Sequence, residues 1–90
     1  MIKKWTVSWQ EKAFKQLSKL DKPVQIKIMS FLENKVCRLE NPRHLGHQLT
    51  GTLSHFWRFR VGDYRLLCSV KDHDVTIVVV HVGHRKDIYH

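Results

Sequence analysis

The sequence predicts an α+β domain of order β-α-α-β-β-β, with a mainly antiparallel sheet and both N-terminal helices packed on one of its faces. Three observations predict it. Apolar residues recur at helical spacing between Ala13 and Val36. Aromatic and branched residues alternate, or run together, around residues 5–9, 56–68 and 75–82. Gly62-Asp63 sits between two alternating runs, where a two-residue type I′ or II′ turn closes a hairpin. The 90 residues suffice for one core and not two, so one domain is expected over residues 1–90.

The first strand is read from Trp5, Val7 and Trp9, which alternate with Lys4, Thr6 and Ser8. Ser8-Trp9-Gln10-Glu11 has capping-box spacing, so the Ser8 hydroxyl and Glu11 carboxylate are expected to satisfy the first N–H groups of a helix. Ala13, Phe14, Leu17 and Leu20 form that helix's apolar stripe, with Lys12, Lys15 and Lys19 elsewhere on its surface. Asp21 is the expected N-cap of a second helix, with Pro23 tolerated in its first turn. Its stripe is Val24, Ile28, Phe31, Leu32 and Val36, and Asn41-Pro42 is expected to end it, because a residue before proline is pushed out of the α region.

Residues 43–52 contain Gly46, Gly51 and two histidines with no period and read as a loop. His44, His47 and His55 fit no standard zinc spacing, and no cysteine lies near them, so neither a metal site nor a cofactor is expected.

The hairpin over residues 56–67 organises the rest. A two-residue turn sets Val61 opposite Tyr64, Arg60 opposite Arg65 and Arg58 opposite Leu67. One face then carries Trp57, Phe59, Val61, Tyr64, Leu66 and Cys68, a core surface. The other gathers Arg58, Arg60 and Arg65. Like charges placed opposite one another cost stability, so this face is expected to be suboptimal for folding and suited to an anion held between the arginines.

Asp72-His73-Asp74 marks another turn, and the almost continuous apolar run after it reads as a central strand. With a three-residue turn, His81 falls opposite Arg65 while Val78, Val80 and Val82 join the core. The chain leaves through Gly83 into His84-Arg85-Lys86-Asp87-Ile88-Tyr89-His90.

A net charge of +8 favours polyanionic partners, and the excess is spread along the chain rather than held in a tail. Cys37 and Cys68 lack CxxC spacing and read as two buried thiols in a reducing compartment. No signal-peptide pattern or transmembrane-length apolar run occurs, so a cytoplasmic protein without membrane contact is expected.

These residues resemble the RelE/ParE superfamily of small bacterial toxins. The likeness covers essentially the whole chain and is carried by the element order, by Gln48-Leu49-Thr50-Gly51, by Trp57-Arg58-Phe59-Arg60-Val61-Gly62-Asp63-Tyr64-Arg65-Leu66, and by Val82-Gly83-His84-Arg85-Lys86-Asp87-Ile88-Tyr89. Within the superfamily it looks like the RelE branch. That resemblance implies a ribosome-dependent endonuclease that cuts mRNA in the decoding site of the 70S ribosome. It implies as partner a cognate RelB-like antitoxin with an acidic segment, through which the complex binds its own operator DNA.

The family's catalytic positions fall on Arg58 and Arg60 before the turn, Arg65 after it, Arg85 after the last strand, and Tyr89. Arg58, Arg60 and Lys86 are expected to hold RNA. The best-studied RelE pattern has lysines at the first two positions, and this chain has arginines. A lysine can lose its proton where arginine cannot, so the arginines suit phosphate clamping and the acid and base fall to His81, His84 or His90. Two rival functions are set against the nuclease. One is a ParE-like protein that inhibits DNA gyrase by binding; the other is a basic module that only binds nucleic acid.

Overall fold

The first strand and the last strand lie side by side, and the helices occupy the excursion between them. The computed structural model describes residues 4–88, the side chains of 87 and 88 excepted. Strand β1 (Thr6–Trp9) pairs in parallel with β5 (Thr76–His84), and the other pairings among the described residues are antiparallel, in a five-stranded sheet of order β1-β5-β4-β3-β2. Helix α1 (Glu11–Ser18) follows at once. Its N-cap is Gln10, and the expected capping box does not form. The strand persists to Trp9, and the Gln10 N–H continues the ladder by donating to the Val79 carbonyl at 3.0 Å, which leaves Ser8 inside the strand.

Helix α2 (Lys22–Asn34) starts where expected, with Asp21 in the extended conformation of an N-cap, although its carboxylate makes no capping bond. It ends earlier than Asn41-Pro42. The chain tightens into a 3-10 turn over Val36–Arg38 that buries Val36 and Cys37. Asn41 instead caps a separate 3-10 turn, Pro42–Leu45, its side-chain oxygen accepting from the Arg43 N–H at 3.1 Å.

The stretch read as a loop holds a short strand, β2 (His47–Gln48), which pairs with the start of β3 (Trp57–Val61). Strand β4 (Tyr64–Lys71) completes the hairpin, with Val61 opposite Tyr64, Arg60 opposite Arg65 and Arg58 opposite Leu67, as the two-residue turn predicts. Gly62 takes φ +58° while Asp63 does not enter the positive-φ region, so the turn is of the II′ kind.

The β4–β5 connection differs from expectation. Lys71 pairs with Thr76, so the turn has four residues, and Val75 closes it at φ 50°. Further along, Cys68 pairs with Val79 but Leu67 pairs with His81, which leaves Val80 as the extra residue of a β-bulge. The buried set is therefore Ile77, Val79 and Val82, not Val78, Val80 and Val82. His81 stays on the arginine face, but opposite Leu67 instead of Arg65.

The core lies on the other face, where Ala13 and Leu17 of α1 and Ile28 and Leu32 of α2 pack with Phe59, Leu66, Cys68, Ile77 and Val79. Fully buried side chains such as Phe59 and Ile28 each contribute ~1.5–3 kcal/mol. Cys37 and Cys68 are both buried, and burial, with Cys37 nearby, holds the Cys68 thiol firmly protonated and unreactive. After β5 the chain turns into α3 (Arg85–Ile88). No helix among the described residues is long and apolar enough to cross a membrane.

Candidate functional site

The sheet register arranges the outer face in two rungs. The first runs His47, Arg58, Leu67, His81 across β2, β3, β4 and β5; the second runs Arg60, Arg65, Gly83 across β3, β4 and β5. Directly opposed residues share a face and neighbouring strands lie ~4.8 Å apart. Arg58, Arg60 and Arg65 are thus brought together as the alternation predicts, and Gly83 leaves no side chain beside Arg65 on its β5 flank.

The three arginines are not equivalent. Arg60 is exposed and Arg58 half-buried, whereas Arg65 is only 6% exposed, a burial that a charged side chain tolerates only with strong partners. Its Nη1 donates to the carbonyls of Gly62 and Tyr64, each at 3.0 Å. These bonds tie the Arg65 guanidinium to the hairpin turn from which it springs, and they act against the expected repulsion on this face. Arg60 also lines a groove of about 400 Å³ between α2 and the hairpin, shared with Lys27 and Lys35. Because β2 pairs only with Trp57 and Arg58, the edge of β3 beyond them receives no strand from β2.

Arg85 is tied to the same turn by its backbone, its N–H donating to the Asp63 carbonyl at 2.8 Å, while its side chain and that of Lys86 are exposed. His84 does not join the arginines. It lies opposite Tyr64 on the helix-facing side, ring centroids 5.5 Å apart in a T-shaped pair, and its Nδ1 accepts from the Lys86 N–H at 3.3 Å. Tyr89 and His90 lie outside the described residues. Arg43 is set aside from the anion face by Asp72, to which it donates twice, at 3.1 and 2.6 Å. The same bonds hold the Asp72 carboxyl below its ordinary value of 3.8.

Two residues escape sequence reasoning. His47 shares a rung with Arg58 because of a strand only two residues long, which leaves no periodic signal. Gln16 contacts His81, its Nε2 lying 3.2 Å from Nδ1. A faint signal existed there: a polar residue bordering the Ala13–Leu17 stripe at helical spacing. No group of three or more potential metal ligands occurs among the described residues.

A family model described as the ParE toxin of the type II toxin-antitoxin system parDE matches residues 7–89. The chain is a type II toxin of the RelE/ParE family. Among its relatives in that family is toxin RelG of Mycobacterium tuberculosis, 32% identical over 85 residues, which span 94% of this chain and 95% of RelG. Among solved structures, the RelBE2 toxin-antitoxin complex of Mycobacterium tuberculosis superposes with a TM-score of 0.84 at 28% identity, covering 94% of this chain and 95% of the other. The archaeal RelE-RelB complex of Pyrococcus horikoshii OT3 does so at 0.66 and 27%, covering 91% and 96%. Both likenesses agree with the α+β expectation, which this RelE/ParE toxin meets with two N-terminal helices and a five-stranded, mostly antiparallel sheet that adds β2.

Proposed function

We propose that this toxin is a ribosome-dependent mRNA endonuclease. The observation that carries the reading is the gathering of Arg58, Arg60 and Arg65 on one sheet face, with the backbone of Arg85 tied to the hairpin turn beside them. In RNA cleavage by internal attack, the 2′-oxygen loses its proton and bonds to phosphorus, the phosphorane gains negative charge, and the 5′-oxygen leaves with a proton. Fixed guanidinium groups meet the second need through bidentate bonds to phosphate oxygens. Arg65, held by two carbonyls, is positioned before substrate arrives, while Arg58, Arg60 and Lys86 grip the RNA backbone and Tyr89 stacks on a base.

Arginine cannot exchange the protons. His47 and His90 are the groups that exchange them, and His81 ends the same rung as His47 with Arg58 between the two. The 70S ribosome holds the mRNA across this face. No metal or cofactor takes part in this scheme.

A RelB-like antitoxin is the proposed partner, supported by the RelBE2 and archaeal RelE-RelB assemblies of relatives. Lys27, Lys35 and Arg60 around the groove suit an acidic antitoxin segment, and the complex binds its operator DNA through the antitoxin. A second reading, gyrase inhibition by binding, is favoured by the ParE description of the family model. Primer extension on a cellular mRNA after brief induction separates the two. Discrete cuts within translated codons, absent from Arg65→Ala and Arg85→Ala, support the nuclease. Gyrase-linked DNA breaks with intact mRNA overturn it.

A further inference from the structure

Strand β1 ends at Trp9, beside Val79, so among the described residues the rest of β5 runs on without a strand on that flank. Gln16 of α1 takes the place of the missing strand. Its Oε1 accepts from the Val82 N–H at 2.8 Å, and its Nε2 lies 3.2 Å from His81 Nδ1. A backbone N–H donates and never accepts, so the Val82 bond fixes which end of the Gln16 amide carries oxygen. The NH2 end is then the one facing His81, and an NH2 group can only donate. Nδ1 must accept, and in the neutral ring the proton lies on Nε2.

We infer that Gln16 is a positioning residue that locks His81 in the Nε2–H tautomer, so that His81 offers the arginine face a neutral hydrogen-bond donor and not a base. The inference rests on the nuclease reading only in taking the anion to be the scissile phosphate of RNA. The chemistry follows from the tautomer. An Nε2 that carries its proton cannot take one from a 2′-OH, and it gives one up fully only by forming imidazolate, which neutral pH does not allow. His81 therefore bonds to a phosphoryl oxygen as charge grows there, beside the arginines, and removal of the 2′-proton falls to another group.

Gln16→Glu is the discriminating substitution. It keeps the size of the side chain and an oxygen for the Val82 N–H, but turns the group facing Nδ1 from donor to acceptor. Nitrogen-15 spectra of the full-length toxin, with the His81 resonances assigned by His81→Gln, read the tautomer directly. At a pH where the ring is neutral in both proteins, expected are a bare Nδ1 and protonated Nε2 in the parent, and a protonated Nδ1 and bare Nε2 in Gln16→Glu, with the Val82 amide protected from exchange in both. On programmed ribosomes the kcat of Gln16→Glu falls about 10²-fold with KM little changed, the scale for losing one donor to a developing oxyanion. A proton on Nδ1 in the parent, or an unchanged tautomer in Gln16→Glu, overturns the inference. A switched tautomer with undiminished cleavage overturns the donor role. A parent that cuts no mRNA overturns the nuclease reading instead, while the tautomer comparison still decides what Gln16 does.

Discussion

The two hairpins that share β4 are built to different standards. The β3–β4 hairpin closes in two residues on Gly62, whose φ of +58° a glycine adopts without strain, and its register runs unbroken from Val61-Tyr64 to Trp57-Cys68. The β4–β5 hairpin needs four turn residues, places a β-branched valine at φ 50°, and inserts Val80 to change phase midway. The first hairpin fixes where the arginines stand. The second adjusts which residues of β5 face them, and the bulge lets Ile77, Val79 and Val82 all reach the core while His81 reaches the other side. Precision is concentrated where charge is gathered; tolerance is found where only apolar residues must find a core.

Four measurements break or sharpen that contrast. The largest effect is expected at Arg65. Arg65→Gln removes charged hydrogen bonds to two turn carbonyls, and urea melts should show a loss of ~2–3 kcal/mol. Arg60→Gln, on the same rung but exposed, should stay within ~0.5 kcal/mol. Equal effects from the two would show that burial of Arg65 does not brace the turn.

Glycine exchanges should act in opposite directions at the two turns. Gly62→Ala forces an L-residue into the left-handed region and should cost ~1–2 kcal/mol in the same assay. Val75→Gly relieves a residue already there and should gain ~0.5–1 kcal/mol, the smaller size reflecting the extra freedom of glycine in the unfolded chain. A stability loss on Val75→Gly would mean that its exposed side chain contributes more than its backbone costs.

The smallest effect concerns acid. Asp72 in the second turn is held below its ordinary value by Arg43, so its contribution is present above the unfolded value near 3.8 and is lost as pH falls through the lower folded value. Thermal melts of the parent and Asp72→Asn between pH 6 and about 2.5 should therefore converge at the acid end. Because Asp72 is exposed, the gap at pH 6 should be small and should shrink further in high salt. Curves that run parallel throughout would remove this pair from the acid response.

The same contrast explains what could be read from the residues. Gly62-Asp63 between alternating runs specifies turn length, and turn length specifies register, so the sharing of one face by Arg58, Arg60 and Arg65 was legible. Asp72-His73-Asp74 specifies a turn but not its length, and no local residue type announces the bulge at Val80, which answers to packing of Val79 and Val82 against helices distant in sequence. His47 was illegible because its strand exists only as a partner for Arg58. The buried state of Arg65 was hidden because alternation gives the face of a side chain, not its depth. Ser8 and Glu11 misled for a related reason: cap spacing was present, but strand pairing with β5 claimed Ser8 first.

The parallel pairing of β1 with β5 has a consequence in time. Thr6 meets Thr76 through their hydroxyls, 3.0 Å apart in space and 70 residues apart in sequence. The first strand made during synthesis must wait for β5, which joins it to the β4, β3 and β2 side of the sheet. Contacts of such separation slow folding, because the chain loses entropy closing the loop before the pairing rewards it. A nascent chain halted before β5 has no sheet to offer beyond the β2–β3–β4 meander and no flank on which Gln16 can dock. Until β5 is made, β1 has no strand to pair with and the outer face lacks the positions that His81 and Gly83 complete.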